Sequence, residues 1–271
     1  MEDHRNLPDA NRLSVLAATI LLAYALTPLI QFPEQNLGLQ LPGFFLAIEL
    51  NFSTVVAVLV ALLAAAGADW LLQTHPRGAK QGRASHWMLP ALTAWVIGVP
   101  LTNLQGGLEW WVVFAFGGSL LMLVLVAEYI ALDPTDVRHG PASIGLTAVS
   151  FALYLVLIIA VRAAGFRLYT LLAAVIPAIF LVSLRTLSLR LGGQWKYTWG
   201  LGIALVTGQF AVGLHYLPIS PIQFSLMLLG LSYALTSLAG SIVEGRAWQT
   251  LWIEPAVMLI LIWTLGGVVG S

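Results

Sequence analysis

The sequence predicts an all-α, polytopic transmembrane bundle of about nine spans, with a cytoplasmic N-terminus and an outside C-terminus. Three observations carry this reading. Of 271 residues, 59% are hydrophobic and only 9% are charged. Soluble domains carry about 25% charged residues, and twelve cations with twelve anions are too few to coat a water-exposed surface of this chain. Apolar runs long enough to cross the hydrocarbon, about 20 helical residues each, recur along the chain. Basic residues gather in alternate connections between those runs.

The first run, 13–31, reads as an uncleaved span. Ala23 and Ala25 form an A-x-A pattern, but Glu2, Asp3 and Asp9 make a poor leader, and the apolar run continues to Phe32. Residues 41–50, LPGFFLAIEL, read as a short interfacial helix. Joined to the second span, they would make a helix of about 48 Å at 1.5 Å per residue, too long for a bilayer. Asn51, Ser53 and Thr54 are candidate caps for that span, 51–72. The third, 87–103, is the shortest, with Pro90 and Pro100 near its ends. The others are 108–131, 143–163, 167–187, 198–216, 221–242 and 248–269. Trp70, Trp87, Trp110, Trp111, Trp199 and Trp248 sit near span ends, the headgroup level that aromatic amphiphiles favour.

Lysine and arginine are retained on the cytoplasmic side of short loops. With the 74–86 loop inside, the inner segments hold Arg5, Arg12, Arg77, Lys80, Arg83, Arg138, Arg185, Arg190, Lys196 and Arg246, and the outer ones only Arg162 and Arg167. This partition of ten against two orients the bundle and supports an odd number of spans. The same alternation puts Glu34 outside.

The whole chain, 1–271, reads as a single integral membrane domain. Two hairpins with short outer turns, each preceded by a basic loop and followed by a glutamate (Glu128, Glu244), suggest a weak parallel repeat of 13–131 in 143–242, with 248–269 added. Small residues fall on one helical face at Gly200, Ala204, Gly208 and Ala211, and again at Gly230, Ala234, Ser237 and Ser241. Thr54, Ala57, Ala61, Ala64 and Ala68 do the same in the second span. Close backbone approach substitutes for the hydrophobic drive that lipid does not supply, so spans two, seven and eight are expected at the centre.

Ionisable groups within spans are costly and are functional candidates by default. Glu254 is followed by Pro255, which suits a first helical turn. It can pair with Arg185 or Arg246, sit solvated at a helix start, or carry protons or substrate. Glu109 and His215, both expected on the outer side, could together move protons near neutral pH, or His215 could be a hydrogen-bonded helix end. Gln209 and Pro177 would favour transport if they lined water; Gln209 would favour scaffolding if its amide joined helices.

The chemistry excluded is broad. Cysteine is absent, which removes disulfides, thiolate catalysis and cysteine-held metals. The five histidines are scattered, with no H-E-x-x-H spacing. No G-x-S-x-G elbow or nucleotide-binding G-x-x-x-x-G-K-[ST] occurs. Zero net charge and the absence of a basic domain argue against nucleic acid. In YIALDPTDVRHG, Asp133 and Asp136 are close enough to share a magnesium ion with a diphosphate. This setting resembles membrane prenyltransferases of the ubiquinone-biosynthesis type, which have nine helices and two aspartate-rich cytoplasmic motifs. The 188–197 loop, SLRLGGQWKY, has no aspartate and departs from that pattern. The expected role is therefore transport or a membrane scaffold, with a lipid- or isoprenoid-modifying enzyme using Asp133 and Asp136 as the alternative. No catalytic motif or cofactor is indicated. Membrane lipids and other membrane proteins are the expected partners, in a bacterial cytoplasmic membrane.

Overall fold

The computed structural model describes residues 8–26, 35–41, 44–50, 52–73, 84–104, 107–133 and 135–269. Arg77, Lys80 and Arg83 of the basic loop, together with Arg5, Glu34 and Asn51, lie outside the described residues. The chain divides into two compact units, residues 1–132 and 133–271.

The first unit contains α1 (Ala10–Leu26), β1 (Gln35–Leu41), β2 (Phe44–Leu50), α2 (Phe52–Leu72), α3 (Ala84–Asn103) and α4 (Leu108–Ala131). Successive helices run in opposite directions. Arg12 at the start of α1 donates to the Trp70 carbonyl near the end of α2, and its guanidinium lies 4.8 Å from that indole's centroid. Leu16 packs where a Cβ on Gly67 would sit. His86 at the start of α3 meets Glu128 near the end of α4. The core is built from Ile20, Val60, Ala64, Leu72, Leu121 and Leu125, so the alanine face of α2 does pack inward.

The second unit contains α5 (His139–Ala163), α6 (Leu168–Arg190), α7 (Tyr197–His215), α8 (Pro221–Val243), the single turn α9 (Trp248–Leu251) and α10 (Ile253–Val269). Helix α8 is its hub, packing against α5, α6, α7 and α10. It starts on a capping box: Ser220 Oγ accepts from the Gln223 amide, Gln223 Oε1 accepts from the Ser220 amide, and Pro221 follows at a position that needs no donor. Helix α7 packs on α6 and α8, so it flanks the hub and is less central than expected. Its small face is buried, and a Cβ on Gly208 would lie 3.0 Å from the Ile176 side chain of α6.

One expectation needs correction. Residues 41–50 are not an interfacial helix: β1 and β2 form an antiparallel hairpin with Leu41 opposite Phe44 and Gln35 opposite Leu50. In QNLGLQL the apolar residues alternate with polar or small ones, the period of a strand, and Pro42-Gly43 supplies a turn signal between the two runs. An apolar run of ten residues does not by itself distinguish strand from helix. The number of helices long and apolar enough to cross a membrane is seven among the described residues; α1 and the apolar part of α3, His86–Leu101, are shorter. Helix α1 has 17 residues, and two prolines interrupt the apolar content of α3. The protein is thus a multi-pass, mostly helical membrane protein.

Candidate functional site

The sequence-level candidates do not converge on one place. Gln209 on α7 and Pro177 on α6 are both exposed, and neither is among the residues that line the cavity described below. Glu109 is exposed in the first turn of α4, where a carboxylate complements the partial positive charge of the helix start. His215 ends α7 and faces a cation: Nδ1 accepts from Arg162 NH1 at 3.2 Å, and the His215 carbonyl accepts from NH2 at 3.4 Å. The Arg162 guanidinium also lies 5.1 Å from the Phe224 ring centroid. An Nδ1 that accepts from arginine belongs to a helix-end contact. Arg185 is buried in α6. Asp133 Oδ1 accepts from the Thr135 amide and hydroxyl, and Asp136 Oδ1 accepts from the Arg138 amide; both carboxylates organise the turn before α5. No group of three or more His, Cys, Asp or Glu capable of holding a metal occurs among the described residues.

Glu254 leads to a different constellation. Along α8, Tyr233, Ser237 and Ser241 recur every fourth residue, with Glu244 three further on, so all four lie along one face. The helix then stops in a Schellman turn. Gly245 has φ +71°, its amide bonds the Ile242 carbonyl, and the Arg246 amide bonds the Ser241 carbonyl. This reversal brings Arg246 back onto Glu244, whose Oε2 accepts from Arg246 Nε at 2.7 Å. After α9, α10 opens at Ile253 with Glu254 in its first turn and Pro255 next to it. The proline falls where the missing N–H costs nothing.

Helix α6 supplies the second cation, Arg190, which sequence reasoning left among the loop charges. Gly240 makes room for it: a Cβ there would sit 2.8 Å from NH1 and 3.0 Å from Cδ and Cζ. Laid across α8, Arg190 grips both Glu244 oxygens, Nε to Oε1 and NH2 to Oε2 at 3.0 Å. It also donates to the Ser237 carbonyl at 3.1 Å and to Ser241 Oγ at 3.0 Å. The hydrogen bond from Arg190 holds the Glu244 carboxyl below its ordinary range; partial burial opposes this, and the charges of Arg190 and Arg246 reinforce it. Glu254 Oε1 accepts from Ser237 Oγ at 3.0 Å and from Tyr233 OH at 3.4 Å. Its Oε2 lies 3.8 Å from Arg246 NH1, so of the two candidate arginines the one facing Glu254 is Arg246. The signal for this site was present in the 4, 4, 3 spacing of Tyr233, Ser237, Ser241 and Glu244, but small hydroxyls at that spacing also describe a packing face.

These groups rim a cavity of about 700 Å³ between α5, α6, α8 and α10. Arg190, Arg246 and Glu254 lie at one end. Phe151 and Tyr233, halfway along α5 and α8, mark its depth, with their rings 5.3 Å apart edge to face. Between rim and depth the walls carry Ser143, Thr147, Thr186 and Thr236 among apolar side chains. Thr186 Oγ1, one turn before Arg190, is buried and has no hydrogen-bond partner among the described residues.

The sequence pattern of DUF5656, described as a protein of unknown function, matches residues 32–269. The chain belongs to the DUF5656 family. No curated protein and no solved structure matches it. The DUF5656 match takes in α2 to α10 and the β-hairpin, and with them every residue of the cavity and its charged rim. Within this DUF5656 chain, the first unit has a buried polar pair of its own: His86 Nδ1 lies 2.8 Å from Glu128 Oε2. That pair ties α3 to α4.

Proposed function

We propose that this DUF5656 protein binds a small membrane-borne amphiphile in the cavity of the second unit and acts as a transporter or carrier for it. The observation that supports this most is the cavity itself, which runs from a charged rim to the midpoints of two apolar helices. Its volume falls in the roughly 300–1,000 Å³ range of small-molecule sites. Polar and ionisable groups at membrane depth generally mark ligand pathways, and a pure scaffold would have no use for an internal space lined by hydroxyls. Asp133 and Asp136 are already engaged in their turn, which weighs against the enzyme reading. Thr147→Phe, which fills the cavity from α5, is expected to abolish co-purification of membrane amphiphiles in native mass spectrometry while leaving thermal stability nearly unchanged. Equal occupancy in Thr147→Phe and the parent protein would sink this reading.

The partition of basic residues supports nine crossings with the charged rim on the cytoplasmic side. A reporter active only outside the cytoplasm is expected to work when fused to the C-terminus and to stay silent when inserted in the 74–86 loop; the opposite pattern overturns the orientation.

A further inference from the structure

We propose that the amphiphile is zwitterionic, a phospholipid bearing both a phosphate and a primary ammonium, and that it reaches the cavity sideways from the bilayer between α5 and α10. This rests on the ligand-binding reading above and specifies the ligand.

The rim carries two cations and two anions, but their capacities are unequally spent. Arg190 uses its guanidinium on Glu244, Ser241 and the Ser237 carbonyl. Glu244 is gripped by both arginines. Arg246 and Glu254, with side chains 48% and 47% exposed, meet only across 3.8 Å. One face of the Arg246 fork and Glu254 Oε2 thus remain as an adjacent donor and acceptor of opposite charge. An oxyanion on Arg246 and an ammonium on Glu254 satisfy both. A ligand with net charge would engage one of them and draw it from the other, which is then left without its counter-charge. Guanidinium is also well suited to phosphate through paired N–H donors.

A second observation lies deeper. Thr186 is only 9% exposed and its Oγ1 has no partner among the described residues, yet the residue lines the cavity one turn below Arg190. A buried hydroxyl without a partner is costly. Thr186 Oγ1 is sealed from the cavity as well, so a rotation about χ1 is what presents it to an ester or phosphate oxygen of a headgroup held at the rim. Apolar side chains share the walls with Thr186, Leu187 and Met258 near the same level and Phe151 deeper, which suits the upper part of an acyl chain. Ile144 lines the cavity and is nevertheless 72% exposed. The cavity therefore opens on the flank of α5, within a membrane-crossing helix, and not only at the rim. The acyl chains can remain in the bilayer while the headgroup occupies the pocket.

The test uses the full-length protein in detergent and lipid binding by native mass spectrometry. The probes are phosphatidylethanolamine and phosphatidylglycerol with identical chains, and glycerophosphoethanolamine, which has the headgroup but no chains. Phosphatidylethanolamine is expected to bind at least about tenfold tighter than phosphatidylglycerol, the value of one charge-assisted hydrogen bond. Glu254→Gln should remove that preference, whereas Arg246→Gln, which loses the phosphate partner common to both lipids, should weaken both and leave the preference in place. The exchanged pair Arg246→Glu with Glu254→Arg should restore part of it, which separates charge recognition from a folding defect. Equal binding of the two lipids, abolished for both by Thr147→Phe, would leave the cavity's ligand-binding role standing and overturn the zwitterion assignment. Glycerophosphoethanolamine binding as tightly as the lipid would overturn the lateral route in favour of a soluble solute. Lipid binding unaffected by Thr147→Phe would remove the cavity reading and this inference together.

Discussion

Glu244→Gln is expected to destabilise the folded protein by about 1.5–3 kcal/mol at pH 7, the usual worth of hydrogen bonds to charged groups. The substitution removes the acceptor that both arginines share and leaves Arg190 pinned over Gly240 against a neutral amide. The Glu244 side chain is about one quarter exposed, so solvent screening places the loss in the lower half of that range. Arg190→Met should cost a similar amount, and the double variant less than the sum, because each single change strands the other charge. The pH dependence carries a definite sign. The folded Glu244 carboxyl titrates below its ordinary value, so its contribution is fully present above the unfolded carboxylate value and is lost as pH falls through the folded one. The stability gap between the parent and Glu244→Gln should therefore hold from pH 7 down to the ordinary carboxylate range, then close in stronger acid. Thermal melts in one detergent across that interval measure it; a gap that widens in acid would contradict the Arg190–Glu244 clasp.

Gly230→Leu is the second large effect. A Cβ at this position would stand 2.9 Å from Trp263 Cδ1, 3.1 Å from its Nε1 and 3.3 Å from Ile262 Cβ. The indole has little freedom to yield: its Nε1 donates to the Met227 carbonyl at 3.1 Å, and its ring stacks on Phe210 at 5.7 Å. Leucine must push α10 off the hub helix, at the upper end of the roughly 1–3 kcal/mol typical of overpacking. Gly202 on α7 is the control. No atom of the described residues stands within 4 Å of a Cβ there, so Gly202→Leu should be neutral or gain part of the roughly 0.8–1.0 kcal/mol by which glycine disfavours a helix interior. Comparable losses at Gly230 and Gly202 would refute the close α8–α10 packing.

Much of the helical framework was legible before any coordinates. The segments read as 108–131 and 221–242 are helices Leu108–Ala131 and Pro221–Val243, because lipid requires a continuous apolar run with its backbone satisfied internally. The 41–50 segment was misread because its run is too short for period to decide, and the alternation that identifies the hairpin lies partly upstream, in 35–41. Glu254 was legible as a candidate, and Pro255 correctly marked its helix start. Arg190 was not, since a basic residue at a helix end is the ordinary state of a cytoplasmic loop.

By itself the sequence determined membrane residence, the helices and most of their ends, since hydropathy and capping are properties of one segment at a time. Only the tertiary structure decided which helices meet. In lipid no hydrophobic drive selects neighbours, and contact is set by the fit of small residues against particular side chains, as Gly240 fits Arg190 and Gly230 fits Trp263. The pairing of Arg190 with Glu244, the facing of Arg246 and Glu254, and the cavity beneath them all depend on α6 and α10 sharing α8. Residues 54 positions apart, as Arg190 and Glu244 are, carry no local pattern that announces their contact.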